Sequence, residues 1–517
     1  MTNLNLNGAP VLVVGAGIMG LGIAQVAAQA GHAVMLYDMR EGAAAEAKTK
    51  LAVSLQALAA KGRLTADAVA QTLSRIAPIA ALEEAASAAL VVEAIVEKLD
   101  AKRSLFQQLE AIVAPDCVLA SNTSSISVTA IANGLQRPQR LVGMHFFNPV
   151  PLMKLVEVVS GLQTSPAVAE AIFALCKVWG KVAVHARSTP GFIVNRIARP
   201  YYAETLALLQ EQAATPAVLD ACLRAVGFRM GPCELMDLIG HDTNFSVTQS
   251  VYGANFYDKR FVPSLVQRDL VDGGLLGRKS GRGFYDYSEG AAKPAIVAFE
   301  PAALPQAQSL CVHGRGPVAE RLAGALAQAG RAFSRDERSG WTGLAIDGAQ
   351  LRLTDGQSAS KVGAEVAVFD LPLASDSGAA LAWAPSSRAS EHWVAQAPQW
   401  LRALGFNPQR LADAPGLSVA RTIAMLVNEA MDAVHQGVCT REGADAAMKL
   451  GVNYPAGPFE WLAGWDAGAI AALLDALDAH YRGERYRVSP ALRQQAWAQA
   501  TPCSQEPAAP SAQPEAA

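Results

Sequence analysis

The sequence lacks the features that direct a protein to nucleic acid or to a membrane. Its 43 basic and 46 acidic residues give a net charge of -3, so no positive field attracts nucleic acid or an anionic lipid surface. No apolar run reaches the ~18 residues that a membrane-spanning helix needs. The first residues, MTNLNLNGAP, have neither the basic nor the apolar part of a signal peptide. We therefore expect no targeting segment and no nucleic-acid or membrane partner.

Cysteine is scattered along the chain and odd in number. There is no CxxC pair and no metal-like spacing of cysteine with histidine, so we expect neither a disulfide framework nor a metal site. Isolated thiols of this kind are typical of a reducing compartment, and we therefore expect a cytoplasmic protein. The seven cysteines are at positions 117, 176, 222, 233, 311, 439 and 503.

A glycine-rich turn near the start of the chain indicates a dinucleotide site. The apolar run 11–14 is followed by GAGIMG, an alanine-rich helical stretch and a second apolar run that ends at Asp38. In such a unit the glycines permit a tight turn, let a pyrophosphate approach the backbone, and let the helix pack on the strand. Asp38 stands where a carboxylate binds a ribose 2′-hydroxyl and repels a 2′-phosphate. The pattern predicts NAD as cofactor, bound here by Gly15, Gly17, Ile18, Met19, Gly20 and Asp38.

Two polar segments follow predicted strands. The strand predicted over 90–95 carries Glu93 and Glu97 near its carboxyl end, the edge at which open α/β sheets bind ligands. The next strand leads into a Ser-Asn-Thr-Ser-Ser loop at 121–125, which in isolation is also compatible with an ordinary turn.

The chemistry is predicted at a histidine and a glutamate. His145 follows a short apolar strand predicted over 141–144, and Glu157 lies within the apolar run 154–159. A carboxylate inside Leu-Val-Glu-Val-Val is costly to bury unless it is paired, and a histidine is the obvious partner. Such a carboxylate orients the imidazole and fixes its tautomer, which makes the histidine a base for an alcohol proton.

Five motifs, in this order and spacing, resemble the L-3-hydroxyacyl-CoA dehydrogenases of fatty-acid β-oxidation: GAGIMG, VVEAIVE, SNTSS, HFFNPVPLMKLVEVVSG and STPGFIVNR. The match runs from residue 10 to about residue 287. The resemblance implies an α/β Rossmann-type NAD-binding domain followed by an all-α, 6-phosphogluconate-dehydrogenase-like C-terminal domain. It also implies NAD-dependent oxidation of (3S)-3-hydroxyacyl-CoA to 3-oxoacyl-CoA.

The resemblance assigns roles to the matching positions. It implies that His145 is the acid/base, that Glu157 orients it, and that Ser124 and Asn195 hold the 3-oxygen of the substrate. The nicotinamide-side contacts that it implies are Glu97, Lys102, Ser124, Asn148 and Lys279. The coenzyme A contacts that it implies are Ser54 and Lys61, in the stretch 41–80 that the apolar spacing predicts to be helical.

Two other classes share the nucleotide-binding pattern. A β-hydroxyacid dehydrogenase outside the CoA family uses a catalytic lysine, and the His145/Glu157 pair argues against this reading. A non-enzymatic NAD-binding protein descended from the family would have no need of intact Ser124, His145, Glu157 and Asn195. Oxidation of NADH by acetoacetyl-CoA separates an enzyme from a binding protein.

The second half of the chain contains an internal repeat, in which 414–438 and 444–466 parallel 189–213 and 219–237. The repeat therefore predicts a duplicated helical domain. Asn195 falls on Ala420, so the copy drops a substrate-binding side chain and is predicted to be structural. The pairs at a constant offset of 225 are Pro190 with Pro415, Arg196 with Arg421, and Glu204 with Glu429.

Length and composition are those of a globular protein of about three or four domains. Between the helical repeats, Gly314-Arg315-Gly316 lacks a third glycine, so the segment around it is predicted to be a degenerate Rossmann-like unit without a second NAD site. The polar stretches 354–361 and 374–388 are predicted to be surface loops. The predicted domains are an NAD-binding Rossmann domain (1–188), a helical substrate and dimerisation domain (189–290), the degenerate segment (291–405), a second helical domain (406–500) and a disordered tail (501–517).

The duplicated form resembles a long bacterial subgroup of the family that serves phenylacetate degradation, on STPGFIVNRIARPYY, FVPSLVQRDLVDGG and HYRGERYRVSPALRQQA. That resemblance implies 3-hydroxyadipyl-CoA as substrate; 3-hydroxybutyryl-CoA, in general β-oxidation or polyester metabolism, is the alternative. A dicarboxylic chain needs a cation for its far carboxylate, and Arg199 is a candidate. Because family members dimerise through the helical domain, the repeat implies either a homodimer or a pseudo-dimeric monomer.

Overall fold

The computed structural model describes residues 4–292, 295–373 and 376–499. Along these residues a large α/β unit is followed by helices, a smaller sheet and a second set of helices. The predicted disordered tail lies outside the described residues. Within them, no helix is both long and apolar enough to cross a membrane.

The first unit alternates strands with helices. Its strands are β1 (Val11–Val14), β2 (Val34–Tyr37), β3 (Ile76–Pro78), β4 (Leu90–Glu93), β5 (Val118–Ser121), β6 (Leu141–Phe146), β7 (Leu155–Ser160) and β8 (Val182–Arg187). Its helices are α1 (Ile18–Gln29), α2 (Ala43–Ala60), α3 (Ala66–Ser74), α4 (Leu99–Ile112), α5 (Val128–Ala132) and α6 (Pro166–Val178).

The strands form one sheet in the order β3-β2-β1-β4-β5-β6-β7-β8. The strands from β3 to β6 are parallel, and β7 pairs with β6 in the antiparallel sense before β8 pairs with β7 in the parallel sense. Helices cover both faces, which is why β1, β4 and β5 are continuous buried runs rather than alternating ones. The carboxyl ends of β1, β4 and β5 therefore meet at one edge of the sheet.

Two sequence-based boundaries in this unit were wrong. The segment 41–80, predicted as wholly helical, ends in the edge strand β3, whose three residues are too few to show a strand period. Strand β6 extends through Phe146, so His145 lies within the strand rather than after it.

A helical unit follows the first sheet: α7 (Val194–Ile197), α8 (Arg199–Gln210), α9 (Pro216–Ala225), α10 (Pro232–Ile239), α11 (His241–Ala254) and α12 (Leu265–Asp272). Helices α7 and α8 follow each other almost directly, and they are separate because Pro200 lacks the N–H that would continue the helical ladder. Helix α11 was not predicted, since HDTNFSVTQSVYGA has no clear apolar period.

The second sheet is built from β9 (Leu310–His313), β10 (Ser334–Asp336), β11 (Gly343–Ile346), β12 (Ala349–Leu353), β13 (Val366–Phe369), β14 (Ala379–Pro385) and β15 (Phe406–Arg410). Its order is β10-β9-β11-β12-β13-β14-β15, and it mixes parallel and antiparallel pairs. Its parallel pairs β9/β10, β12/β13 and β14/β15 are each connected through a helix, and antiparallel pairs join them to one another. The predicted loop at 374–388 was wrong in part, because 379–385 forms the buried strand β14. The connecting helices are α13 (Pro317–Gln328), α14 (Ala359–Val362) and α15 (Glu391–Ala403).

The last unit is built around a buried helix. Helix α16 (Val419–His435) is buried from Val419 to Ala433 and packs on α8 of the first helical unit. Its buried charged side chains, Arg421, Glu429 and Asp432, are all in ion pairs. The other helices of this unit are α17 (Arg441–Gly451), α18 (Pro458–Gly464), α19 (Ala467–Tyr481) and α20 (Pro490–Gln499).

The two helical copies meet through reciprocal ion pairs. The Nε atom of Arg196 lies 2.6 Å from Glu429, and the Nε atom of Arg421 lies 2.6 Å from Glu204. These are the same two positions of the repeat, exchanged, as in a two-fold contact between identical subunits. Arg485, which stands 225 residues after Arg260, likewise binds Glu204 as Arg260 binds Glu429. The chain thus packs its two copies against each other with pseudo-two-fold symmetry.

Candidate active site

The glycine-rich turn between β1 and α1 has the geometry of a phosphate cradle. Gly15 has a φ of +106°, and a Cβ there would lie 2.5 Å from the carbonyl oxygen of Ala94. A Cβ on Gly20 would lie 1.8 Å from the carbonyl oxygen of Gly15, so the helix can approach the strand only as glycine. A Cβ on Gly17 would meet nothing within 4 Å, which leaves open space at the helix start.

The start of α1 is suited to an anion. Gly17 caps the helix without a side-chain hydrogen bond, and no acidic residue lies in the first turn. The first N–H groups of a helix have no intrahelical partner, so they and the helix dipole favour a phosphate. Asp38, at the end of β2, accepts hydrogen bonds from the N–H groups of Ala16 (2.8 Å) and Arg40 (3.0 Å). It ties the turn to the neighbouring strand, where a ribose would lie. The residues present fit NAD.

A buried charge network lies beside the turn. The ammonium group of Lys102 is 2.6 Å from Glu93 and 3.1 Å from Glu97. One carboxylate oxygen of Glu97 also accepts hydrogen bonds from the Thr123 hydroxyl and the N–H groups of Ser124 and Ser125. Burial alone would raise the pKa of Glu97, but Lys102 and these hydrogen bonds outweigh it and hold that pKa below its usual value. Lys102 therefore orders the polar loop through Glu97.

The same loop is fixed to the strand that carries the histidine. The side-chain oxygen of Asn122 accepts a hydrogen bond from the N–H of Phe146, at 2.9 Å. On the other side, the Asn195 amide donates to the carbonyl oxygen of Ser124 at 3.4 Å. The loop thereby joins β6 to α7, and Ser124 and Asn195 come together although 71 residues separate them.

His145 and Glu157 lie directly opposite each other on β6 and β7. Their contact joins His145 Nδ1 to Glu157 Oε2 at 2.5 Å, with both side chains buried. The second carboxylate oxygen, Oε1, accepts the N–H groups of Ile193 (3.0 Å) and Val194 (2.9 Å). Because the carboxylate accepts a hydrogen bond from Nδ1–H, the proton of the neutral imidazole stays on Nδ1 and the Nε2 atom of His145 is left as the hydrogen-bond acceptor. Glu157 thus orients the imidazole and also holds the turn that leads to Asn195.

These groups line one cleft of about 670 Å³. The first sheet, α7, α8 and α11 form its walls, and Val452 of the second helical unit also reaches it. The lining includes nine of the residues predicted from sequence: Ile18, Met19, Glu97, Lys102, Ser124, His145, Asn148, Asn195 and Arg199. Glu157 lies behind His145 in the core.

Three predicted site residues lie away from the cleft. Ser54 and Lys61 are on α2 and at its end, with exposed side chains, and the Ser54 hydroxyl donates to the carbonyl oxygen of Lys50. Lys279 forms an ion pair with Asp242 at the start of α11. Their contacts with coenzyme A and nicotinamide stay predictions. In the part of the chain that the structure describes, no cluster of histidine, cysteine and acidic side chains could hold a metal ion.

Sequence reasoning missed several residues of the cleft. Asn122 was noted only as part of the polar loop, yet its amide fixes the loop to β6. The Phe147 ring lies 4.5 Å from the imidazole of His145 and covers it. Tyr202 and Asn244 reach the cleft from α8 and α11. Residue spacing could have predicted Tyr202, because it stands seven residues after Asn195, a separation that places two residues on the same side of a helical segment.

A phosphate cradle at the switch edge of a parallel sheet, beside a histidine held by a buried carboxylate, defines a nucleotide-dependent dehydrogenase. The comparisons with known proteins specify its kind. Residues 10–189 match the NAD-binding domain of 3-hydroxyacyl-CoA dehydrogenase, and residues 191–287 and 416–502 both match the C-terminal domain of that enzyme. Residues 351–415 match the 3-hydroxybutyryl-CoA dehydrogenase reduced Rossmann-fold domain. The chain belongs to the 3-hydroxyacyl-CoA dehydrogenase family.

Individual relatives agree with this assignment. A 3-hydroxyadipyl-CoA dehydrogenase of Escherichia coli K12 is 42% identical over 95% of this chain and 98% of its own length. A crystal structure of a 3-hydroxybutyryl-CoA dehydrogenase from E. coli K12, also 42% identical, covers 95% of this chain and 99% of its own, with a TM-score of 0.86. A probable 3-hydroxybutyryl-CoA dehydrogenase of Bacillus subtilis is 43% identical and matches 54% of this chain and 97% of its own. The names of the E. coli relative and of the E. coli crystal structure differ in the acyl group.

Proposed function

We propose that the chain oxidises (3S)-3-hydroxyacyl-CoA thioesters to 3-oxoacyl-CoA with NAD, and that 3-hydroxyadipyl-CoA is its substrate. The observation that carries the proposal is the geometry around His145. Its Nδ1 atom is held by Glu157, and its ring lines the same cleft as Ser124 and Asn195. That cleft opens beside the start of α1, since Ile18 and Met19 also line it.

The residues divide the chemistry among them. Bound NAD supplies the hydride acceptor. His145 Nε2 accepts the proton of the 3-hydroxyl group, and Glu157 stabilises the imidazolium that results. The Ser124 hydroxyl and the Asn195 amide donate hydrogen bonds to the 3-oxygen as it becomes a carbonyl. In the reverse direction the imidazolium returns the proton to that oxygen.

The cofactor residues act by position. The turn of Gly15, Gly17 and Gly20 and the start of α1 hold the pyrophosphate, and Asp38 selects the ribose 2′-hydroxyl of NAD. Glu97, fixed by Lys102, and Asn148 line the cleft beside α1 and would contact the nicotinamide there. Lys279, Ser54 and Lys61 are proposed as contacts made on binding of NAD and coenzyme A.

The adipyl assignment is supported by the E. coli relative named 3-hydroxyadipyl-CoA dehydrogenase, which is 42% identical over 95% of this chain, whereas the B. subtilis relative matches 54% of it. 3-Hydroxybutyryl-CoA is the second candidate, since the E. coli crystal structure carries that name.

Steady-state reduction of NAD with the two thioesters tests the substrate. We expect a higher kcat/KM for 3-hydroxyadipyl-CoA than for 3-hydroxybutyryl-CoA. Equal kcat/KM values, or a higher value for 3-hydroxybutyryl-CoA, would indicate instead that the protein acts on short-chain substrates. No oxidation of either thioester would contradict the proposed activity itself.

The pseudo-two-fold packing supports a monomeric assembly. We propose that the second helical copy occupies the place of a dimer partner, because Arg196, Glu204, Arg421 and Glu429 satisfy each other within one chain. Light scattering of the full chain should give the monomer mass. A dimer would contradict this proposal. We also propose a cytoplasmic location, where an NAD pool and reduced thiols are available.

A further inference from the structure

Arg199 is a buried cation without an acidic partner in the described part of the chain. It is 6% exposed, and its Nε atom has no hydrogen-bond partner. Its Nη1 atom donates to the Thr248 hydroxyl at 3.1 Å, and its guanidinium lies 4.9 Å from the centre of the Tyr202 ring. Burial lowers the pKa of this guanidinium. A buried charge of this kind is costly, so its retention calls for an anion that the protein itself does not supply.

The guanidinium is placed in the active-site cleft. Arg199 and Tyr202 line the cleft that contains His145 and Asn195, and they also line a smaller cavity of about 90 Å³ next to it. Arg199 begins α8 four residues after Asn195 of α7, and both residues line the cleft. The far end of a short acyl chain whose 3-oxygen is held at Asn195 therefore lies within reach of Arg199.

The internal repeat indicates that Arg199 is not needed for the helical scaffold. The copy keeps the side chains that join the two helical units, Arg421 and Glu429, at the positions of Arg196 and Glu204. It replaces the cleft-facing positions by apolar residues: Asn195 becomes Ala420, Arg199 becomes Ala424 and Tyr202 becomes Val427. The corresponding helix of the second copy, α16, thus folds without an arginine at this position. Arg199 accordingly belongs with Asn195 to the residues that serve the cleft.

We infer that Arg199 binds the terminal carboxylate of a dicarboxylic 3-hydroxyacyl-CoA and so sets the preference of the enzyme for such substrates. The inference rests on the proposed dehydrogenase activity. In 3-hydroxyadipyl-CoA the carboxylate stands three carbon–carbon bonds beyond C3, on the side away from the thioester. The free Nε–H and a second guanidinium N–H can bind its two oxygens side by side, while Thr248 holds the remaining nitrogen. Tyr202 stacks on the guanidinium and keeps it in place.

A cycle of two substrates and two proteins tests the inference. 3-Hydroxyhexanoyl-CoA has the chain length of the adipyl thioester but a methyl group in place of the carboxylate. We expect the wild type to prefer the adipyl thioester in kcat/KM. In Arg199→Met this preference should fall about 10- to 150-fold, mainly through a higher KM for the adipyl thioester. Arg199→Lys should give an intermediate ratio, because an ammonium keeps the charge but not the two-pronged geometry.

A matched control removes an arginine elsewhere in the same helical unit. Arg268 is exposed and paired with Asp272, so Arg268→Met loses the same charge without touching the cleft and should keep the wild-type ratio. Circular dichroism and NADH binding establish that each variant is folded. Should Arg199→Met not fold, Arg199→Lys decides: a reduced ratio supports the inference, and an unchanged one overturns it.

The remaining outcomes overturn the inference in distinguishable ways. A folded Arg199→Met that keeps the adipyl preference means that another group binds the carboxylate. Equal losses with both thioesters mean that Arg199 only supports the fold. A wild type with no preference for the adipyl over the hexanoyl thioester would contradict the dicarboxylic substrate but not the dehydrogenase activity. A wild type that oxidises neither thioester would contradict the proposed function itself.

Discussion

Replacement of Glu157 by glutamine tests how the imidazole is held. In the wild type Oε1 accepts the N–H groups of Ile193 and Val194, and Oε2 accepts the Nδ1–H of His145. Glutamine offers one acceptor oxygen and one NH₂ group. If the oxygen stays on the two backbone N–H groups, the NH₂ group faces Nδ1 and binds only the tautomer that carries its proton on Nε2. That tautomer cannot accept the proton of the substrate.

The two effects of this change differ in size. Holding a catalytic histidine in the wrong tautomer lowers kcat about 10⁴-fold, which corresponds to ~5 kcal/mol of activation free energy. The exchange of charge-assisted hydrogen bonds for neutral ones lowers the free energy of unfolding by about 1–3 kcal/mol. The loss of activity should therefore exceed what destabilisation explains.

The repeat supplies a matched control at Asp370. This buried carboxylate accepts the N–H groups of Ser418, Val419 and Ala420, the counterparts of the turn that Glu157 holds. In the described residues its hydrogen bonds come from backbone N–H groups and from no histidine. Asp370→Asn should consequently lower stability while leaving kcat nearly unchanged.

The assay combines NADH formation at saturating thioester with urea unfolding of both variants. We expect a kcat reduced by several orders of magnitude in Glu157→Gln alone. A folded Glu157→Gln with a kcat within about tenfold of the wild type would refute the tautomer argument, because a positioned base contributes at least 10²-fold.

Three further predictions follow from the described contacts. Burial raises the pKa of Asp370 to about 6, so the native state binds this proton more tightly than the unfolded chain does; the group's contribution to the free energy of unfolding should fall by about 3 kcal/mol as pH rises from about 3 to 7, and urea unfolding of Asp370→Asn should lack that component. Asp38→Ser should lower the preference for NAD over NADP, measured as the ratio of kcat/KM values, because the carboxylate no longer repels a 2′-phosphate; an unchanged ratio would contradict the assignment. Arg421→Met should lower the free energy of unfolding by ~3 kcal/mol, since it removes one partner of a fully buried ion pair, although Arg485 still binds Glu204; a urea midpoint equal to that of the wild type would show that the pair contributes nothing.

Much of the fold was accessible from sequence because the signals were local. The spacing of the glycines predicts the turn at Gly15, and uninterrupted apolar runs predict strands β4 and β5. The edge strand β3 and helix α11 were missed because one is too short and the other too polar for a period to emerge. Strand β14 was missed because Ser, Asp and Gly residues surround it and predict a loop, whereas the second sheet buries its apolar residues.

In the candidate site, too, local features could be predicted from sequence and long-range contacts could not. Glu157 could be identified from sequence because an unpaired carboxylate is costly to bury in an apolar strand. In the structure it is paired with His145. That Glu157 also holds the turn before Asn195 could not be predicted, because the contact spans residues far apart in sequence. The absence of an acidic partner for Arg199 among the described residues depends on tertiary packing that no local pattern encodes.

The most direct test of the account is the turnover of His145→Gln with 3-hydroxyadipyl-CoA and NAD. Glutamine keeps a polar side chain of similar size but cannot take up a proton. We predict a kcat about 10²- to 10⁴-fold below that of the wild type, with NADH binding intact because the cofactor cradle is elsewhere. A His145→Gln enzyme that turns over at the wild-type rate would show that another group is the base.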